Sequence, residues 1–444
     1  MKHFFFLSLL LPTILLAQHS IKGVFSPPEN YNVALLYKVT PTLSKYISSS
    51  QIKKDGSFEF KLDSTVTKGV YRLVYAIPQE DYNFDIIYNA KEDIELTFNS
   101  ETGVKFVKSL ENKLLTSYTN SMSLVTQSIG NYFGSQSKDT TALKAIFKTQ
   151  RETQLNFEKA AKQTIALQFI KANKPYIPNK VEHVKTYSNN LKKHYFDYVD
   201  FNNQTLQSSS FLQEKILNYI FGMSNHVEDE ITNYKKNIDV VCLKLKDISP
   251  KIKRVMLLDL WQQMVDLNLE PVANYISENY LMDIAVSLND QTLLNTLLIY
   301  LDTSLGNKAP DFSFDIKKDK TAITKKLSEL NVAENYVILF WSSGCSHCLD
   351  EVPQLKSFIG TLKKGFVKVV AIGLEDEPSN WQNIIKDYPE FIHVYGKDKW
   401  NNTIAKDYGI NSTPSYFVLN KNKEIIAKPQ DFEALKDFLG NDDE

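Results

Sequence analysis

Cys345 and Cys348, separated only by Ser346 and His347, are the residues of this chain whose types and spacing best suit chemistry. Two thiols at this spacing lie one helical turn apart. Such a pair can hold a metal, anchor a haem, or carry out dithiol–disulfide exchange. A structural zinc site usually needs four ligands, and this part of the chain adds only His347 and the distant His393. No metal is therefore expected. Covalent haem attachment needs a histidine directly after the second cysteine, where Leu349 stands. Exchange chemistry is the reading that remains: a Cys345 thiolate attacks, a mixed disulfide forms, and Cys348 resolves it.

The nucleophile must be held where its thiolate is stabilised. Val337-Ile338-Leu339-Phe340-Trp341 is a continuous apolar run suited to a buried parallel strand. Ser342-Ser343-Gly344 then makes a short turn, and Cys345 to Leu362 reads as a helix. Cys345 therefore sits at a helix N-terminus, where free N–H groups and the helix dipole favour a sulfur anion. Further strands are expected at 366–373, 415–419 and 424–427, and further helices at 379–388 and 432–439. This alternation implies an α/β layer architecture. Glu375, Asp376 and Glu377 read as a solvated acidic turn after a strand.

Upstream the texture differs. From about Ser20 to Phe106 short alternating runs such as Ser57-Phe58-Glu59-Phe60-Lys61-Leu62 are separated by turn residues, and Asp55-Gly56 is a hairpin signal. These suggest a small β-sandwich. From Ser109 to Leu305 apolar residues recur at three- and four-residue spacing, as in Leu293, Leu294, Leu297, Leu298 and Leu301. Cys242 there reads as a small buried hydrophobe. The expected fold class is multidomain: a β-sandwich (18–106), an all-α region (107–304) and a C-terminal α/β domain (305–444).

The chain has 444 residues, 43% apolar and 23% charged, with formal net charge −1. Its three arginines and the lack of basic clusters argue against a nucleic-acid partner. Lys2 and His3 precede an apolar run from Phe4 to Ala17, too short to span a membrane. Residues 1–17 are expected to be a signal peptide, with the rest exported as a soluble, periplasmic protein. With no cysteine near Ala17, a lipid anchor is not expected.

The C-terminal part resembles the thioredoxin-like periplasmic oxidoreductases of the TlpA/ResA type over roughly Gly306 to Gly440. The resemblance rests on Ala309-Pro310-Asp311-Phe312, Phe340-Trp341, the cysteine pair, Glu351-Val352-Pro353, Val369 to Leu374 followed by Trp381, and Tyr408-Gly409-Ile410-Asn411-Ser412-Thr413-Pro414. It implies a thioredoxin-like fold and thiol–disulfide oxidoreductase activity without a cofactor. It also implies a cis Pro414 beside the cysteines, and substrate contact through Thr413, Trp341 and Gly344. Partners implied are protein thiols or disulfides of the cell envelope and a membrane or soluble redox partner. Peroxiredoxins share some of these features, but Ile338 replaces their proline and no arginine follows Arg254. A histidine before the second cysteine resembles the oxidase DsbA, so His347 is expected to stabilise the Cys345 thiolate. The competing reading is an envelope binding or scaffolding protein that works through its N-terminal parts. A weaker resemblance links those first strands to the β domain found ahead of such thioredoxin-like domains.

Overall fold

A computed structural model describes residues 19–441 except 80, 224–227 and 319–320. The expected signal segment, 1–17, lies outside the described residues. Two compact units divide the chain between Leu260 and Trp261.

In the first unit eight strands form two four-stranded sheets. One runs in the order Ser57–Leu62, His19–Ser26, Ile94–Asn99, Gly103–Lys108; the other in the order Ser44–Gln51, Val33–Val39, Gly69–Val74, Asn83–Tyr88. Period-two alternation turns Phe58, Phe60 and Leu62 inward, where they meet Ile21, Leu36, Tyr71 and Leu73. This is the expected sandwich, with one correction. Asp55-Gly56 does not close a hairpin within a sheet, because the strands on either side of it belong to different sheets. Gly56 has φ +81°, and a Cβ there would lie 2.2 Å from the Phe25 carbonyl oxygen. That carbon-free approach lets the chain pass beside His19–Ser26 while it changes sheets, with Phe25 N–H donating to the Gly56 carbonyl at 2.9 Å.

Helices follow from Leu110. Leu110–Gly134 is capped by Ser109, whose side chain accepts from Asn112 N–H, and Thr140–Ala160 is capped by Asp139. The two pack on each other. Among the described residues no helix is long and apolar enough to cross a membrane.

The second unit holds the cysteine pair. Helices Glu270–Ile276, Met282–Leu288 and Gln291–Asp302 lead to a hairpin of Ser313–Lys318 and Thr321–Lys326, then to a five-stranded sheet. Its order is Ile392–Lys397, Val367–Glu375, Asn335–Trp341, Ser415–Asn420, Ile425–Ala427. The first three strands are parallel and the last two antiparallel. Asn335–Trp341 is central and covered on both faces, which is why it reads as unbroken apolar sequence. Tyr336, Ile338 and Phe340 face a cluster with Leu327, Ala405 and Tyr408. Val337, Leu339 and Trp341 face the other side, with Cys348, Val352, Leu355, Leu435 and Leu439. The sheet and its flanking helices form the expected α/β thioredoxin-like domain. Strand Ile392–Lys397 has no sequence counterpart in the expectations: as an edge strand it carries His393, Gly396 and Lys397 among its apolar residues, and so lacks the apolar run that marks a central one.

Candidate active site

The central strand ends at Trp341 and the chain reverses through Ser342, Ser343 and Gly344. Cys345 N–H closes this turn on the Ser342 carbonyl at 3.1 Å. Cys345 is the N-cap of helix Ser346–Ile359, with extended backbone (φ −95°, ψ 117°), and its sulfur accepts from Cys348 N–H at 3.4 Å. A cysteine sulfur thus occupies the place where a serine or aspartate oxygen caps an ordinary helix. The same Sγ donates to the Thr413 carbonyl at 3.3 Å. The Thr413–Pro414 bond is cis, as the resemblance implies.

Both cysteines are free thiols, in different surroundings. Cys345 is half-buried, and burial by itself disfavours its thiolate. Hydrogen bonds from the Cys348 thiol and N–H, from the Thr413 side chain and from His347 N–H outweigh that cost and hold the Cys345 pKa below the ordinary thiol value. Cys348 is 0% exposed. Its burial, together with its hydrogen bond to Cys345, pushes its pKa up to about 12. The pair is asymmetric: the pKa of the half-buried Cys345 is lowered, and that of the buried Cys348 is raised.

The remaining expected residues fall into place unequally. Thr413 borders Cys345 and is followed by the cis Pro414, and Gly344 is exposed in the turn. Trp341 needs correction as a substrate contact. It is 1% exposed and packs beneath the site with Cys348, so it supports the pair from the core. The reason is strand parity: its neighbour Phe340 faces one layer and Trp341 the other, and neither face is open. The His347 side chain is exposed, and what reaches the Cys345 sulfur from this residue is its backbone N–H.

Other groups near the pair were not anticipated. Glu351, one turn past Cys348, accepts from the Tyr416 hydroxyl at 2.8 Å and from Phe432 N–H at 3.1 Å. Tyr416 is buried, and its pKa is raised by burial, by Glu351 and by the proximity of Cys348. The i, i+3 spacing from Cys348 to Glu351 was visible on the helix, whereas the partner Tyr416 comes from a strand 65 residues away. The acidic turn also needs correction: Asp376 and Glu377 are exposed, but Glu375 is 6% exposed and accepts a hydrogen bond from Ser343 N–H in the active-site turn. Glu375 ends a parallel strand beside the one that leads into the active-site turn, and side chains at the carboxyl ends of such strands converge. Among the described residues no group of three or more His, Cys, Asp or Glu side chains is arranged to hold a metal ion.

Comparison with known proteins matches a thioredoxin-like family model to residues 334–425. Sporulation thiol-disulfide oxidoreductase A of Bacillus subtilis is 28% identical over 130 residues, covering 27% of this chain and 74% of that protein. Thiol-disulfide oxidoreductase ResA of Bacillus thuringiensis is 25% identical over 138 residues, covering 30% of this chain and 76% of its own length. Among solved structures, a thioredoxin-like protein from Bacteroides caccae aligns over 60% of this chain and 97% of its own, with 21% identity and a TM-score of 0.44.

Proposed function

From a C-terminal domain that is thioredoxin-like, with thiol–disulfide oxidoreductases among its relatives, we propose that this protein exchanges disulfides with proteins of the cell envelope through Cys345-Ser346-His347-Cys348. The observation that carries the proposal is the placement of the Cys345 sulfur. It caps a helix, accepts from Cys348 N–H and lies 3.3 Å from the Thr413 carbonyl.

The geometry supports this reading step by step. Hydrogen bonds lower the Cys345 pKa, which enlarges its thiolate fraction relative to an ordinary thiol at the same pH. The thiolate attacks one sulfur of a substrate disulfide; that S–S bond breaks, and the departing sulfur leaves as a thiolate that takes up a proton. Cys345 is then joined to the substrate in a mixed disulfide. Cys348 loses its proton and attacks the Cys345 sulfur, which releases the second substrate thiol and leaves a Cys345–Cys348 disulfide. Two electrons pass from the protein dithiol to the substrate, and the reverse sequence oxidises a substrate dithiol. The high pKa of Cys348 keeps it from competing as first nucleophile. A membrane or soluble dithiol partner restores the starting state. Residues 1–17 direct the chain to the envelope, where such partners act. Thr413 and Pro414 present the backbone against which a substrate segment lies, and exposed Gly344 leaves the approach to Cys345 open.

Insulin reduction tests the reading. Wild-type turnover in the presence of dithiothreitol, abolished in Cys345→Ser, is the expected result. A wild-type protein without turnover in either direction sinks the enzymatic reading and restores the scaffolding one.

A further inference from the structure

The turn that aims Cys345 is gripped from outside its own segment. Ser343, at the middle of the turn, is 5% exposed, so its peptide groups have little water to pair with. Its N–H donates to the carboxylate of Glu375, at the end of strand Val367–Glu375. Its carbonyl accepts from Asn380 Nδ2 at 3.3 Å, on helix Pro378–Ile384. Both polar groups of one turn residue are therefore satisfied by side chains from the next strand and helix.

The reach of Asn380 depends on close packing. Trp381, its neighbour, lies so tightly on the sheet that a Cβ on Gly373 would come within 2.1 Å of the indole Nε1. Glycine at 373 lets the helix approach, and the approach brings Asn380 to the turn. The turn in turn determines where Cys345 sits relative to its donors, since Cys345 N–H closes on Ser342 O and the sulfur must meet Cys348 N–H and the Thr413 carbonyl together.

We propose that Glu375 and Asn380 are positioning residues for the attacking cysteine, holding the Ser342–Gly344 turn so that the Cys345 sulfur meets its hydrogen-bond donors. The inference rests on Cys345 being the reactive sulfur, the reading given above. Neither residue touches substrate; each acts through the Ser343 peptide. The role of Glu375 is that of an acceptor, so glutamine, which keeps a carbonyl oxygen at the same reach, substitutes for it and leucine does not.

The test is the pH dependence of Cys345 alkylation by iodoacetamide in the full chain. Wild type, Glu375→Gln, Glu375→Leu and Asn380→Ala are compared, each in a Cys348→Ala background so that one thiol of the pair reports. Glu375→Gln is expected to titrate like the wild type. Glu375→Leu is expected to raise the apparent pKa by about one unit, a roughly tenfold loss of thiolate on the acid side. Asn380→Ala, at an exposed position, is expected to move it in the same direction by less. An unmoved titration in folded Glu375→Leu overturns the proposal, as does Glu375→Gln shifting as far as leucine. Should Glu375→Leu not fold, Asn380→Ala decides alone: an unmoved titration there overturns the proposal. Because alkylation needs no protein substrate, failure here is distinct from failure of the insulin assay.

Discussion

At the residue scale the site works by unequal treatment of two chemically identical groups. Cys345 is stabilised as a thiolate by hydrogen bonds from the Cys348 thiol, from the Cys348 and His347 N–H groups and from the Thr413 side chain, and Cys348 is buried as a thiol. The contribution of His347 follows from its backbone. His347→Ala retains the N–H and should leave the Cys345 titration within about half a pKa unit, since an exposed imidazole is screened by solvent. His347→Pro removes the N–H, so it should raise the pKa and make the couple more reducing, about 30 mV for each 1.4 kcal/mol. Alkylation profiles and a redox titration against glutathione read both effects; a full-unit shift in the alanine variant would restore the imidazole to the mechanism. Cys348 has the opposite signature. Its folded pKa lies above the unfolded value, so above about pH 9 the unfolded chain ionises this thiol while the folded chain does not. The reduced protein should therefore lose stability between pH 9 and 12 by up to about 1.4 kcal/mol per pH unit more than Cys348→Ala does, measured by urea denaturation. Parallel stability curves for the two proteins would contradict this.

At the element scale, the helix over the sheet edge and the strand beneath it are fitted to one another. Gly373 has φ in the ordinary range, and its importance is the missing side chain: the Trp381 ring takes the space. Gly373→Ala should cost about 1–3 kcal/mol from overpacking. It should also slow Cys345 alkylation at neutral pH by moving Asn380 off the turn. Denaturant melts with alkylation rates measured on the same samples check both; an alanine variant as stable as the wild type would show that Trp381 can yield. The central strand makes the complementary point. Its whole length reads as apolar because helices cover both faces, whereas the edge strand Ile392–Lys397 carries mixed residues and left no pattern.

At the scale of the molecule, compactness divides the chain within the helical stretch. The helices after Trp261 belong with the sheet that carries the cysteines. Glu270, largely buried, accepts from Leu305 N–H at 2.6 Å and pairs with Lys428, which also lies 5.2 Å over the Tyr300 ring. A domain cut at 305 would leave Lys428 without its carboxylate and Leu305 N–H without its acceptor. We therefore expect a fragment of residues 305–444 to be less stable than one of 268–444 by about 2 kcal/mol or more. Comparing their urea midpoints tests this, and equal midpoints would establish 305–444 as a self-sufficient domain.

Much about this protein is determined locally and is therefore legible in its sequence. The apolar run to Trp341, the short turn, the cysteine at a helix start and the Thr413-Pro414 dipeptide each depend on near neighbours in the chain. The β, helical and α/β textures depend likewise on periodicity within short windows. Other features needed the tertiary structure because they join residues far apart. Asp55-Gly56 reads as a hairpin turn until the sheet assignments of its flanking strands are known. The resemblance makes Trp341 a substrate contact until both faces of its strand are seen to be covered. The Cys345–Cys348 spacing marks the candidate sulfurs, but not that Glu375, 32 residues from Ser343, accepts a hydrogen bond from the turn before them, nor that Tyr416 meets Glu351. Such contacts are made by sheet register and helix packing, which bring together side chains that no local pattern relates.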